Sequence, residues 1–201
     1  MDPAMSEDIE AVRDTVNRFM QTEVVPAMDE YDTRGEFPRE LIRKAGEAGL
    51  YGAVFPESVG GTNLGYLAAT VIQEEMARND VRFAACNNQQ GSTCPSSIYF
   101  GGTPEQVKKY VPDLLAGKTI GMMSLTESGG GSDPAGADED LRPARRRRLP
   151  DERPEMFASI ANETDLGVLF AKTNREPGCA PTRPCRSSAV TDWRRSTGCP
   201  G

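Results

Sequence analysis

Apolar residues along this chain change their spacing once, and that change orders its parts. Ile9, Val12, Val16, Phe19, Met20 and Val24 recur mainly at steps of three and four, the repeat of a single buried helical face. This pattern predicts a helix that stops near Pro26, since proline lacks the amide a helix interior needs. A second helix is expected from Pro38, with Leu41, Ile42, Ala45 and Ala48 facing inward and Gly49 placed to cap its end. Leu50 to Phe55 forms a short apolar passage ahead of a turn at 56–61. A third helix, Asn63 to Arg78, packs through Leu64, Leu67, Val71, Ile72 and Met76. Val81 to Phe100 reads as helical with interruptions at Gly91 and Pro95.

The sharpest local signal is Thr103-Pro104-Glu105-Gln106. Thr103 can cap, Pro104 suits the first turn, and Gln106 can reach back to the cap amide. Val107, Tyr110, Val111, Leu114 and Leu115 give that helix its apolar side, and Gly117 ends it. Thr119 to Leu125 then becomes a strand-like run. The chain therefore reads as α+β, with helices over 1–118, β-structure over 119–174 and an irregular stretch over 175–201.

Composition narrows the chemistry. Histidine is absent, which removes the commonest general base and every Ser-His or Cys-His nucleophile pair. The five cysteines, Cys86, Cys94, Cys179, Cys185 and Cys199, form no CxxC pair and no zinc spacing. The acidic, polar start from Met1 to Ile9 does not read as a secretory signal, so reduced thiols and a cytoplasmic setting are expected. No apolar run approaches the length of a membrane span. A net charge of −7 speaks against a nucleic-acid partner. That charge is uneven. Residues 1–136 carry 11 Lys+Arg against 20 Asp+Glu, whereas 137–201 carry 12 against 10, a break typical of a domain boundary or a tail.

Several segments carry a family resemblance. Pro38-Arg39-Glu40-Leu41, Ala48-Gly49-Leu50-Tyr51-Gly52, Pro56-Glu57, Gly60-Gly61 and Glu74-Glu75-Met76-Ala77-Arg78 resemble the N-terminal helical domain of acyl-CoA dehydrogenases. So do Gly102 to Gln106, Tyr110 to Leu114 and Gly117. Met122 to Leu125, followed by Thr126-Glu127-Ser128-Gly129-Gly130-Gly131-Ser132-Asp133, looks like the family's Thr-Glu-Pro-x-x-Gly-Ser-Asp segment, with Ser128 in place of proline. Four small residues, Ser128 to Gly131, would let backbone amides approach a planar or anionic ligand.

The resemblance implies FAD as cofactor. It places the strand end (Met123, Leu125 and Thr126) with Gly131 at the flavin, the pyrimidine side falling to the strand end and Thr126. Ser132 falls near both the cofactor and the thioester or phosphates of an acyl-CoA. Phe157 and Ser159 resemble the aromatic and hydroxyl positions of the family's second flavin segment, although Phe157 reads equally well as ordinary core. Asp165 to Thr173 looks like the strand that follows. The implied fold is an all-α N-terminal domain followed by an incomplete β-barrel domain, with the C-terminal helical bundle missing. In the family that bundle supplies the catalytic Glu, so no catalytic residue is assigned here. The implied activity is α,β-dehydrogenation of an acyl-CoA, with electron-transferring flavoprotein as electron acceptor and a homo-oligomer in intact members. This chain is expected to be truncated and inactive. The alternative is a non-enzymatic helical remnant that associates with a full-length relative or is degraded.

Between 137 and 156 the resemblance lapses. Arg145-Arg146-Arg147-Arg148 and its surroundings read as a solvated charged loop, as a patch for CoA phosphates or nucleic acid, or as a stretch translated out of frame. The last reading accounts for the run, because CGN arginine codons shifted by one base become Asp and Gly codons. The stretch from about Arg175, rich in Cys, Pro, Arg and Ser, reads as a second slip.

Overall fold

The computed structural model describes residues 7–126, 159–170 and the backbone of 188–191. Helix α1 (Glu7–Phe19) runs into a π-helical turn, Met20–Val24, and continues as α2 (Val25–Arg34). The helix thus does not stop at Pro26. The π-turn bonds each amide one residue further back than an α-turn does, so the chain is already widened where the proline ring enters. Termination waits for Gly35, left-handed at φ 64°.

Helix α3 (Arg39–Glu47) begins after Pro38. Its end is closed by Gly49 N–H on Gly46 and Leu50 N–H on Ala45, the paired bonds of a left-handed glycine cap at φ 71°. Helix α4 (Gly65–Asn79) buries Ala68, Val71, Ile72 and Met76. Leu64 and Leu67, expected in its core face, instead stand 49% and 55% exposed. The buried stripe is rotated toward Ala68, and α1 packs along α4, with Arg13 meeting Glu75 and Asn79 donating to Asn17.

Helix α5 (Val81–Asn87), a second π-turn (Asn88–Thr93) and α6 (Cys94–Gly101) form one continuous helical rod. Gly91 and Pro95 do not interrupt it. They are absorbed by the π-turn, with Pro95 in the first turn of α6. Helix α7 (Pro104–Leu115) has the expected capping box between Thr103 and Gln106.

The switch of period at 119 is a true change of structure. Strand β1 (Gly121–Ser124) pairs in parallel with β2 (Leu166–Phe170), register Gly121 to Leu166, and β2 pairs antiparallel with β3 (Ser188–Thr191). β3 falls within 175–201, where no periodicity had suggested an element. A single apolar cluster joins the helices to the sheet, from Val16, Met20 and Ile42 through Phe55, Met76 and Phe83 to Ile98, Leu114, Ile120 and Val168. Each such side chain contributes about 1.5–3 kcal/mol. That outweighs the exposed Arg34–Glu30 and Arg43–Glu47 pairs, since surface ion pairs contribute about 0–1 kcal/mol.

Candidate functional site

β1 is held at its start by charge. Asp165, just before β2, accepts the Ile120 amide at 2.9 Å and meets Arg39 of α3 at 2.8 Å. Arg39 also donates to the Glu163 carbonyl. The three groups fix the opening of both parallel strands against the helices.

The outer edge of β1 is closed by side chains. Gln90, fully buried, accepts the Gly121 N–H at 3.0 Å through Oε1 and donates through Nε2 to the Leu114 and Thr119 carbonyls, both at 2.7 Å. Its neighbour Gln89 accepts the Met123 N–H at 3.1 Å. Two alternate strand amides are therefore satisfied without another strand, which blunts an edge that would otherwise recruit one. Gly121 is required at this junction, because a Cβ there would lie 2.6 Å from Cys94 Sγ and 2.4 Å from Leu114.

The same π-turn faces a groove on its other side. Asn88, Gly91 and Ser92 line an open cavity of about 500 Å³ together with Val54, Tyr66 and Gln73. Its wall is mixed: apolar from α4 and the 50–54 passage, polar from Gln73, Asn87 and the π-turn. Beneath it Tyr51 is fully buried, and burial pushes its hydroxyl well above the usual phenol range. A Cβ on Gly91 would stand 3.0 Å from the Tyr51 ring, so glycine keeps the turn close to that floor.

The two described cysteines are not nucleophiles. Burial, and secondarily the Asp80 charge, pushes Cys86 up to about 11, and burial pushes Cys94 up to about 12, so neither forms thiolate at neutral pH. Asp80 has a capping role. Burial works to raise its pKa, but hydrogen bonds from Arg82 and from the Phe83 and Arg82 amides outweigh it, and the pKa falls below the usual carboxylate value. Among the described residues no group of His, Cys, Asp and Glu could hold a metal ion.

The expected flavin residues separate into three sets. Met123 is half-buried in β1, with its N–H committed to Gln89. Leu125 is 36% exposed and Thr126 half-buried, both beyond Ser124, where pairing with β2 ends. Gly131, Ser132 and Phe157, like the frame-slip stretch 137–155, lie outside the described residues. Ser159 is exposed and precedes the turn at Ala161–Glu163. That turn leads into β2, whose start pairs with the start of β1. Gln89 and Gln90 went unread in the sequence. A Gln-Gln pair inside a helical pattern carries no motif, and only the fold shows that a strand edge meets it.

A family model for the acyl-CoA dehydrogenase N-terminal domain matches residues 6–118, more than half of the chain. The chain belongs to the acyl-CoA dehydrogenase family. It is 33% identical over 174 residues to the mitochondrial long-chain specific acyl-CoA dehydrogenase of Rattus norvegicus, covering 85% of this chain and 39% of that protein. It is 34% identical over 181 residues to glutaryl-CoA dehydrogenase of Desulfococcus multivorans, covering 89% and 46%. A solved glutaryl-CoA dehydrogenase of Mycobacterium smegmatis in complex with FADH2 superposes with a TM-score of 0.71 at 25% identity, over 92% of this chain and 52% of that one. The chain thus spans less than half the length of these curated relatives. Among the described residues no helix is long and apolar enough to cross a membrane.

Proposed function

We propose that this chain forms the flavin-facing front of an FAD-dependent acyl-CoA dehydrogenase. The observation that carries the reading is the end of β1. At Ser124 both β1 and its described pairing with β2 end, and the next two residues offer backbone groups, an exposed Leu125 and the Thr126 hydroxyl together. That donor and acceptor set suits the edge of a flavin pyrimidine ring, which alternates carbonyl and N–H groups. In this reading Met123 contributes its carbonyl and side chain, Leu125 its apolar surface and Thr126 its hydroxyl. Gly131 and Ser132 continue the contact, with Ser132 toward the acyl-CoA. Phe157 and Ser159 belong to the second flavin segment.

When bound, FAD supplies the redox chemistry by accepting a hydride from the substrate β-carbon. The residues of this chain bind and orient. The groove beside the π-turn takes the acyl portion, with Tyr66 and Val54 along its apolar side. The electrons leave to an electron-transferring flavoprotein, and intact members assemble as homo-oligomers.

Among the described residues we assign no general base. The buried Glu75 is bound to Arg13 at 3.4 Å, and Asp80 and Asp165 are committed to Arg82 and Arg39. A positioned base contributes about 10²–10⁴-fold, so this polypeptide alone is expected to be inactive. The test is to add FAD to the purified chain, follow its absorbance, and then add short, branched and long acyl-CoAs with an artificial electron acceptor. Flavin bound without turnover supports the reading. A chain that leaves FAD unperturbed at all concentrations refutes it, and turnover at about 1–10³ per second refutes the inactivity.

A further inference from the structure

We infer that Gln89 is a positioning residue for the flavin edge, acting through the Met123 amide to set where the end of β1 stands; this rests on the flavin reading above. β1 is four residues long and, among the described residues, has one strand partner. Its other edge is pinned at two points, Gly121 by Gln90 and Met123 by Gln89. The first pin lies at the fixed end, beside the Ile120–Asp165 bond. The second lies toward the other end, two residues before Leu125. At about 3.3 Å per residue, Thr126 stands about 10 Å past it. Release of the second pin lets the strand end twist about the first, and the displacement grows along that length.

Gln89 differs from Gln90 in how it does this. Both hydrogen bonds to its side chain end on one atom, Oε1, which accepts from Met123 N–H at 3.1 Å and from the Thr93 hydroxyl at 2.9 Å. The requirement is therefore for an acceptor, which glutamate also supplies and leucine does not. Gln90 uses both ends of its amide and is fully buried, so glutamate there would lose both donated bonds. Gln89 is half-buried, and its loss leaves the helical core in place. The π-turn thus supports the groove through Asn88 and Gly91 and the flavin edge through Gln89, which fixes the distance between the two.

The experiment compares wild type, Gln89→Leu, Gln89→Glu and Thr93→Val as the full chain. FAD binding is read by flavin fluorescence and absorption shift. Thermal midpoint and Met123 amide exchange are measured without FAD. Removal of one such hydrogen bond is expected to weaken FAD binding roughly 3- to 10-fold in Gln89→Leu, with faster exchange at Met123. Gln89→Glu restores both, and Thr93→Val, which only loosens the Oε1 orientation, shifts them less in the same direction. If Gln89→Leu does not fold, the Gln89→Glu and Thr93→Val pair carries the test through the same readouts. Equal FAD affinity across all folded variants, while wild type binds, overturns the inference alone. Failure of Gln89→Glu to rescue, at matched thermal midpoints, overturns it as well. A wild-type chain that does not bind FAD removes the flavin reading itself and this role with it.

Discussion

Met20–Val24 and Asn88–Thr93 are both π-helical turns, and each is followed two residues on by a proline, Pro26 and Pro95. In each case the widened turn carries the helix across a residue that would otherwise end it. They differ in what they turn inward. The first buries Met20 and Val24 in the apolar core, while its polar Gln21 and Glu23 bond to Asn79 and Lys44 on neighbouring helices. The second buries Gln90 and presents Gln89 beside it, and so serves a strand edge. One backbone device has two uses, and side-chain chemistry decides between them.

The largest effect that sharpens this contrast is expected from Met20→Ala. Truncating a fully buried side chain costs about 2–5 kcal/mol, and chemical denaturation should show that loss with no change at β1. Retention of full stability would mean the first turn is not a core element. Gln90→Leu is expected to cost about 1–3 kcal/mol for the polar groups it strands. Here the loss should come with rapid amide exchange at Gly121, and unchanged exchange there would break the comparison.

Asp80, which caps the helix leading into the second turn, comes next. Asp80→Ala should cost about 0.5–2 kcal/mol. Its folded pKa is lowered, so its contribution is present above the unfolded value of about 3.9 and is lost as pH falls through the folded one. The stability gap between wild type and variant should therefore be constant from pH 6 to 8 and close below about pH 4. A gap that widened in acid would exclude this origin. The smallest effects are expected from the prolines. Pro26→Ala and Pro95→Ala should each change stability by about 1 kcal/mol or less, yet only Pro95→Ala should loosen the Met123 amide. Equal exchange in both variants would show that the second turn keeps its form without its proline.

Much of the helical half was legible from local rules. The Thr103–Gln106 box, the Gly49 and Gly117 caps and the strand at 121 each depend on residues a few positions apart. Pro26 misled because the residues that widen the helix before it look like ordinary helix. Leu64 and Leu67 misled because their spacing fits a buried stripe, while the stripe that is buried runs through Ala68, Val71, Ile72 and Met76. At the end of β1 the motif marked Thr126, but nothing local marked Gln89 or Asp165.

The sequence by itself determined where helices begin, where most of them end and where the period changes to that of a strand, because those outcomes are fixed by neighbours along the chain. Tertiary structure alone decided that a π-turn glutamine would cap a strand 31 residues away and that Asp165 would hold Ile120 and Arg39 at once. The physical reason is that a buried amide must find a partner wherever the fold leaves it, and which side chain supplies that partner is settled only when the elements pack.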